Sequence, residues 1–558
     1  MGQLFLLTAI GSLIITLLLV PLSKKIRSKE LSTKWVGISA VLVFIVSFIS
    51  VFLTVYISKI DLNWTIFLYV LPVVAIAGAI IAVGVEQKIK SFIVLVGIVG
   101  IGYLMAAPFL NAEEKFNSAE MQEQTEIAPF DETKTPASVP PQFVKNKMKK
   151  AFGQVPNTSY YELGNLQIQK VNGEYVYIAP VEFSGFFKWF SGKTTPGYFT
   201  MSATDSSDNP KFIKEEMSYI PSAFLNKNLE RHIRLQYPSL IFYGDPQLEI
   251  DEEGKPFYIR SYGEFISARN GFDVKGVVLV DAKTGDTEKL ALADVPDFID
   301  GAVSPETVSL QNSYYGNYVH GFWNSLVGKK DVKVPSDEGT EANVSPIFME
   351  DGEMYYFTDF TSPKEGVDSM LGYALTNART GQATYYTGNL EESYMDSQGA
   401  LAIIEKKFVE KEWEGEMPIL YNFYGEASWL SAVLDANGFL QNYFIVSAAN
   451  PEISAYGTTP NEALKLYKTA LSRGGSTVDG TSNAEEAKAT VEVVRVYKER
   501  VGDFTIVSFL TTTGENFIVS SEIAPFVIYL QEGDKVAITY AKTGEDFQPV
   551  KALAIEGL

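Results

Sequence analysis

The densest grouping of side chains able to bind or react is Tyr314–Ser325, YYGNYVHGFWNS, which gathers Tyr314, Tyr315, Tyr318, His320, Phe322 and Trp323. Flat aromatic faces stack on sugars or hold peptide side chains, and an imidazole exchanges a proton near neutral pH. Tyr314, Tyr318, His320 and Trp323 are therefore the candidate binding residues, for a carbohydrate or a peptide. Packing competes with that reading and outweighs it. At helical spacing Tyr315, Tyr318 and Phe322 share one face that would lie against a sheet.

Other chemistry has little to stand on. The 558 residues include no cysteine and two histidines, His232 and His320, which excludes disulfides, thiolate metal sites, a Cys nucleophile and a multi-His centre within one chain. Neither a G-x-S-x-G elbow nor a phosphate-cradling G-x-x-x-x-G-K-[ST] loop occurs. Lys283–Thr284–Gly285 is accounted for by a turn. With 67 acidic residues, groups such as Glu412, Glu414 and Glu416 around Trp413 arise by chance. No catalytic residue, metal ligand or cofactor is assigned, and an enzyme is unsupported.

The elements that would position these residues begin in a membrane. Four apolar runs, Leu4–Leu22, Val36–Ser58, Thr65–Val85 and Phe92–Phe109, lack charged residues. Each is close to the ~20 residues a helix needs to cross the hydrocarbon core. The first has no basic stretch before it and no A-x-A-like cleavage site after it, so it is read as a retained helix. Lys24, Lys25, Arg27, Lys29 and Lys34 mark the first loop, and Lys88 and Lys90 the third. The positive-inside rule puts those loops in the cytoplasm and both termini outside. Small residues such as Ala75, Gly78, Ala79 and Ala82 favour helix packing over a transport path. The bundle over residues 1–110 is read as an anchor.

Beyond it the chain is acidic. Of 46 Lys+Arg and 67 Asp+Glu, 8 and 3 precede Leu110, which leaves 38 against 64, a net of −26. Such a domain does not bind nucleic acid, whose affinity comes from neutralised phosphates. Residues 111–142, polar and then Pro-rich, read as a flexible linker that holds the domain off the bilayer, and 472–487 as a second linker. Between them, residues 143–471 show a loose repetition. VNGEYVY, DEEGKPFYI and EDGEMYYF each set a glycine turn before an aromatic strand. GVVLVDAKTGDTEKL, LGYALTNARTGQATYY and WLSAVLDANGFLQNYFI each set an apolar strand before a turn. Helices are predicted at Phe143–Phe152, Phe224–Tyr237, Pro305–Val327, Tyr394–Val409 and Thr459–Leu471, giving tandem helix and antiparallel-hairpin modules of the α+β class.

A helix followed by a hairpin carrying V-V-L-V-D-A-K-T-G-D resembles the PepSY-type module of bacterial secreted and membrane proteins, protease propeptides among them. The whole layout, with VKGVVLVDAKTG, VPDFID and YVHGFWNS, is similar to uncharacterised multi-pass envelope proteins of Gram-positive bacteria or their phages. Residues 488–558 carry five candidate strands with a G-D-x-V-x-I-x-Y fourth strand and resemble an OB-fold barrel. The expectation is an integral membrane protein whose extracytoplasmic part binds an envelope protein or the cell wall. Alternatives are a regulator or inhibitor of an extracytoplasmic protease or wall hydrolase, implied by the PepSY resemblance, and a carbohydrate-binding or carbohydrate-processing ectodomain.

Overall fold

The computed structural model describes the chain except residues 24, 27–28, 126–138, 350, 365, 389–392, 475–485, 502–503, 522, 543–546 and 558. Two compact units form, 1–124 with 139–387, and 125–138 with 388–558. The first unit opens with α1 (Gly2–Leu19), α2 (Thr33–Ser58), α3 (Phe67–Ile81, preceded by a turn from Trp64) and α4 (Val85–Leu110). With that turn counted into the third, all four are long and apolar enough to cross a membrane. A Cβ on Gly78 would lie 2.0 Å from the Leu18 carbonyl oxygen, and one on Gly97 2.2 Å from the Pro72 ring. Small residues here let helices touch.

The fourth helix departs from expectation by starting at Val85 rather than Phe92, which brings Glu86, Lys88 and Lys90 into it. The added turns have work at the end of α1. Glu86 accepts from the Leu22 and Ser23 amides, and Lys90, paired with Glu86 at 2.6 Å, donates to the Val20 carbonyl at 3.2 Å. Lys24 and Arg27 of the first loop lie outside the described residues.

The linker expected from 111 is corrected over its described ends. Residues Ala112–Ser118 form α5, and Gln122–Gln124 is a strand parallel to Ala383–Tyr386. The polar sequence hides a half-apolar face: Phe116 stacks on Tyr315 at 5.8 Å and Met121 is buried. Residues 139–142 are likewise structured, entering α6 (Pro141–Ala151). The second expected linker begins inside a helix that runs from Pro460 to Gly474, and its 475–485 stretch lies outside the described residues.

The region after α6 repeats one plan, a helix followed by an antiparallel four-stranded meander. In the first module α6 precedes strands Gln167–Val171, Glu174–Phe183, Tyr198–Ser202 and Lys211–Ile213, with α7 (Phe186–Gly192) inserted after the second strand. The second places α8 (Leu229–Gln236) before Gln247–Ile250, Pro256–Glu264, Asp273–Asp281 and Thr287–Ala291. In the third, α9 (Pro305–Asn317) and the single turn α10 (Gly321–Trp323) precede Ser345–Phe348, Met354–Thr361, Met370–Asn377 and Ala383–Tyr386. The fourth, in the second unit, has α11 (Ser397–Lys407), strands Glu414–Phe423, Glu426–Leu434, Leu440–Ser447 and Ser454–Gly457, then α12 (Pro460–Gly474).

One node recurs in all four modules. An alanine after the third strand (Ala203, Ala282, Ala378, Ala448) donates its amide to the carbonyl of the first or second residue of the second strand: Tyr175, Pro256, Met354 or Ala427. The same alanine accepts from the chain entering the module, through the amides of Val139, Tyr219, Val303 and Met395. The residue before it, Ser202, Asp281, Asn377 or Ser447, uses a side-chain oxygen to accept two amides two and three positions on. Serine, aspartate and asparagine are interchangeable for this job, because each offers a short-stemmed acceptor to its own turn. Every node alanine is buried, so a larger side chain there must displace its neighbours.

Both faces of the second module's sheet are covered. Val278 and Val280 join a core with Ile220, Leu229 and Ile233, while Val277 and Leu279 face Val295 and Ile299. That two-sided burial explains a continuous apolar strand in place of alternation. The helix expected over Pro305–Val327 breaks after Asn317, with Gly321 at φ +79°. WLSAVLDANGFLQNYFI forms strands two and three of its module, whereas the other two segments of that type form strands three and four.

The C-terminal strands Glu486–Val501, Phe504–Thr511, Asn516–Ser520, Lys535–Ala541 and Gln548–Ile555 close into a barrel in the order one, two, three, five, four. Val491, Val507, Phe509, Phe517, Val536 and Ile538 fill it.

Candidate functional site

The aromatic stretch is divided by the break after Asn317. Tyr314 is buried on α9 and Tyr318 caps its end half-buried, with the Lys115 ammonium 5.6 and 5.4 Å from their ring centres. Burial lowers the Lys115 ammonium and raises both phenols. Tyr315 packs on Phe360 and Tyr385 and donates to Glu123 at 2.9 Å. These tyrosines line a core, as the packing reading expects. His320 and Trp323 lie beyond the break, on the surface. The His320 ring meets Asp331 at 2.8 Å, and Trp323 is 70% exposed. Thus the four candidates do not converge on one cleft. Trp413, the other aromatic singled out, is half-buried against Phe408 at 5.4 Å.

Buried carboxylates, which sequence reasoning passed over as chance, mark the joints between modules. Glu249, 3% exposed, accepts from the Gly301 amide at 3.0 Å and is raised well above the carboxylate range by burial and by the Asp300 charge. Asp300 accepts from the Lys170 amide at 2.6 Å and is pushed up to about 6 by burial. Nearby, Arg379 reaches from the third module to the carbonyls of Pro296 and Ile299 at 2.9 and 3.0 Å. A second group contains Glu341, which burial and the Glu306 and Asp245 charges lift to about 8. Arg260, facing these acids, pairs with Glu230 at 3.2 Å. The arrangement holds protons and charge inside module joints. Among the described residues no cluster of His, Asp and Glu is arranged to hold a metal ion. His232 also serves structure, as its Nε2 lies 2.7 Å from the Gly285 carbonyl.

A third polar group joins the helices to the modules. The loop after α2 carries Asp61, whose two oxygens receive Arg269 at 2.8 and 2.9 Å. Burial would raise that carboxyl, but the Arg269 hydrogen bonds and charge overcome it and hold it below its usual value. Arg234, 7% exposed, donates to the carbonyls of Lys59 and Leu240 at 2.9 and 2.6 Å, and the Leu62 amide donates to Pro238 at 2.7 Å. Glu230 is shared by Lys59 and Arg260. At the neighbouring end of α2, the Tyr56 hydroxyl donates to Asn226 at 2.8 Å. The second module is therefore seated directly on the loop after α2 rather than held off the helices by a tether.

Two clefts remain. One, of about 410 Å³, lies between α1 and α2 and is lined by Ile15, Leu19, Leu42, Val46 and other apolar residues. The other, of about 470 Å³, runs over the outer face of the barrel along Ala489, Ala537 and Ala554. No family model matches the chain, and no curated protein does. Among solved structures, a polypeptide from a complex of BT0996 with RGII covers 68% of this chain and 95% of its own length at 10% identity, with a TM-score of 0.18, too low to indicate a shared fold.

Proposed function

We propose that this is a multi-pass membrane protein whose helices anchor an acidic, extracytoplasmic set of modules for interaction with an envelope protein or the cell wall. The observation that carries the reading is the seat: Asp61–Arg269, the Arg234 bonds to the loop after α2, and Leu62–Pro238 make the bundle a mount for the second module. The side of the membrane is argued from the cations of the first loop and of the first turns of α4 and is part of the proposal. The C-terminal barrel is read as OB-like. Its strand order, the parallel pairing of its third and fifth strands and the short helical turn Pro525–Tyr529 before the fourth strand support this. Its net surroundings are acidic, so a nucleic-acid ligand is not part of the reading.

A tag fused after Leu558 should be reached by antibody on intact cells, and crosslinking there should capture an envelope component. A tag reached only after permeabilisation refutes the orientation, and no captured envelope component refutes the interaction role. A second reading is regulation of an extracytoplasmic hydrolase, which rests on the PepSY-like resemblance and is supported by the helix-and-meander plan common to the four modules. That reading requires the purified protein to slow a protease or wall hydrolase of its own envelope.

A further inference from the structure

Two surface segments share an unusual make-up. Ser184–Lys193, SGFFKWFSGK, and Gly321–Lys330, GFWNSLVGKK, each carry two lysines and no carboxylate, in a region whose net charge is −26. Both present large apolar groups to solvent. Phe187 is 82% exposed and Phe190 64%, while Val327 is 76% exposed beside Trp323 and Leu326. Neither display follows from packing needs. Trp189 turns inward against Phe224, and Phe322 is the inward member of the second segment. Removing such groups from water is favourable, so paired exposed clusters mark a contact.

Their place in the fold identifies that contact. Phe322 lies edge-on to Phe109 in the last turn of α4, with ring centres 4.7 Å apart. Phe186 lies edge-on to Phe224 at 5.2 Å, and the next two residues reach the end of α2: Arg231 bridges the Leu225 carbonyl and the Tyr56 carbonyl, and Asn226 accepts from Tyr56. Leu225 itself is exposed. Each segment is thus tied to the terminal turn of a membrane-spanning helix, where headgroups meet acyl chains. Aromatic and aliphatic side chains rimmed by lysine suit that zone: rings and branches enter the boundary, and ammonium groups meet phosphates.

We infer that Phe187 and Phe190 on α7, with Leu225, and Trp323, Leu326 and Val327 after α10, form two membrane-inserting fingers. They enter the leaflet on the modules' side of the same bilayer that houses α1–α4. The occupant is the phospholipid interface. The inference uses the seat of the second module on the helices and does not depend on which side of the membrane the modules face or on what partner they bind. The fingers keep the first and third modules close to the lipid although the domain as a whole repels anionic headgroups.

The absence of cysteine makes the test direct. Single Phe187→Cys, Val327→Cys and Ser207→Cys variants of the full chain carry a nitroxide in phosphatidylcholine/phosphatidylglycerol nanodiscs. Collision with oxygen and with a water-soluble nickel chelate is then measured by power saturation. Ser207 is an exposed polar position on the first module and reports bulk water. The oxygen-to-nickel ratio at positions 187 and 327 should stand several-fold above that at 207. Ratios equal to that of position 207 would overturn the inference. Labels shielded from both agents would also overturn it, by assigning the patches to a second copy or another protein. Circular dichroism of each variant confirms the fold, and Leu326→Cys supplies a second probe of the α10 finger.

Discussion

Glu341→Gln isolates a strongly displaced carboxylate outside the Glu249–Asp300 pair. Glu341 has its acid form favoured by burial and by Glu306 and Asp245, and its affinity for a proton rises from 4.5 to about 8 on folding. For an acid raised in this way the folded state holds the proton more tightly. Stability is then greatest below the unfolded value, falls as pH rises from about 4.5 to about 8, and is flat above. A shift of that size sets a ceiling of about 5 kcal/mol at ~1.4 kcal/mol per unit. Glu341 is half-buried, and the solvent it retains cuts this to about 2 kcal/mol. Glutamine keeps the shape and removes the ionisation. At pH 3.5 the variant should match the parent, and at pH 8.5 it should be more stable by about 2 kcal/mol. Hydrogen exchange of peptides covering Ser345–Thr361 in the full chain, compared at matched pH, reads the difference locally. Equal protection at both pH values, or a loss at pH 8.5, would refute the account of this joint.

The Asp61–Arg269 seat behaves with the opposite sign. The Asp61 and Glu230 carboxyls are lowered by their cations, so their contribution is complete above pH ~4.5 and disappears as pH falls below that. Protease cleavage in the loop after α2 should accordingly appear only in acid. Arg269→Ala strands Asp61 and should cost about 3 kcal/mol in a denaturant titration of the nanodisc-held protein, with Asp61→Asn/Arg269→Ala costing less than the sum of the single changes. Ala282→Val and Ala448→Val should each cost ~1–3 kcal/mol through overpacking at the node. A neutral Ala448→Val would break the equivalence of the fourth module. Arg379→Met should loosen the 295–299 loop, seen as faster exchange of its amides, with little change in the barrel.

The membrane quarter was legible because twenty-residue apolar runs have few alternative uses. Their ends were less so, since Glu86 and Lys90 look like loop residues until their bonds to Ser23 and Val20 are known. Sequence reading found the repeat through D-A-K-T-G and N-A-R-T-G but missed its other two copies. There serine stands in for the acceptor, and the turn continues without glycine. It merged α9 with α10 because Tyr315, Tyr318 and Phe322 keep helical spacing across the break. The five strands over 488–558 were legible through alternation and the turns at Gly514 and Gly533. Of the candidate site, aromatic content was visible and its division was not. FFKWF, an apolar cluster between glycines, was the signal left unused.

The bonds tying the loop after α2 to Arg234 and Pro238 have a mechanical consequence. A turning force applied to the second module reaches Asp61 and Leu62 through ion pairs and main-chain hydrogen bonds, with no slack tether between. Because α2 and α3 flank that loop, they must twist or tilt along with the module. Tension applied to the second module is thereby delivered to the middle of the bundle rather than dissipated before it.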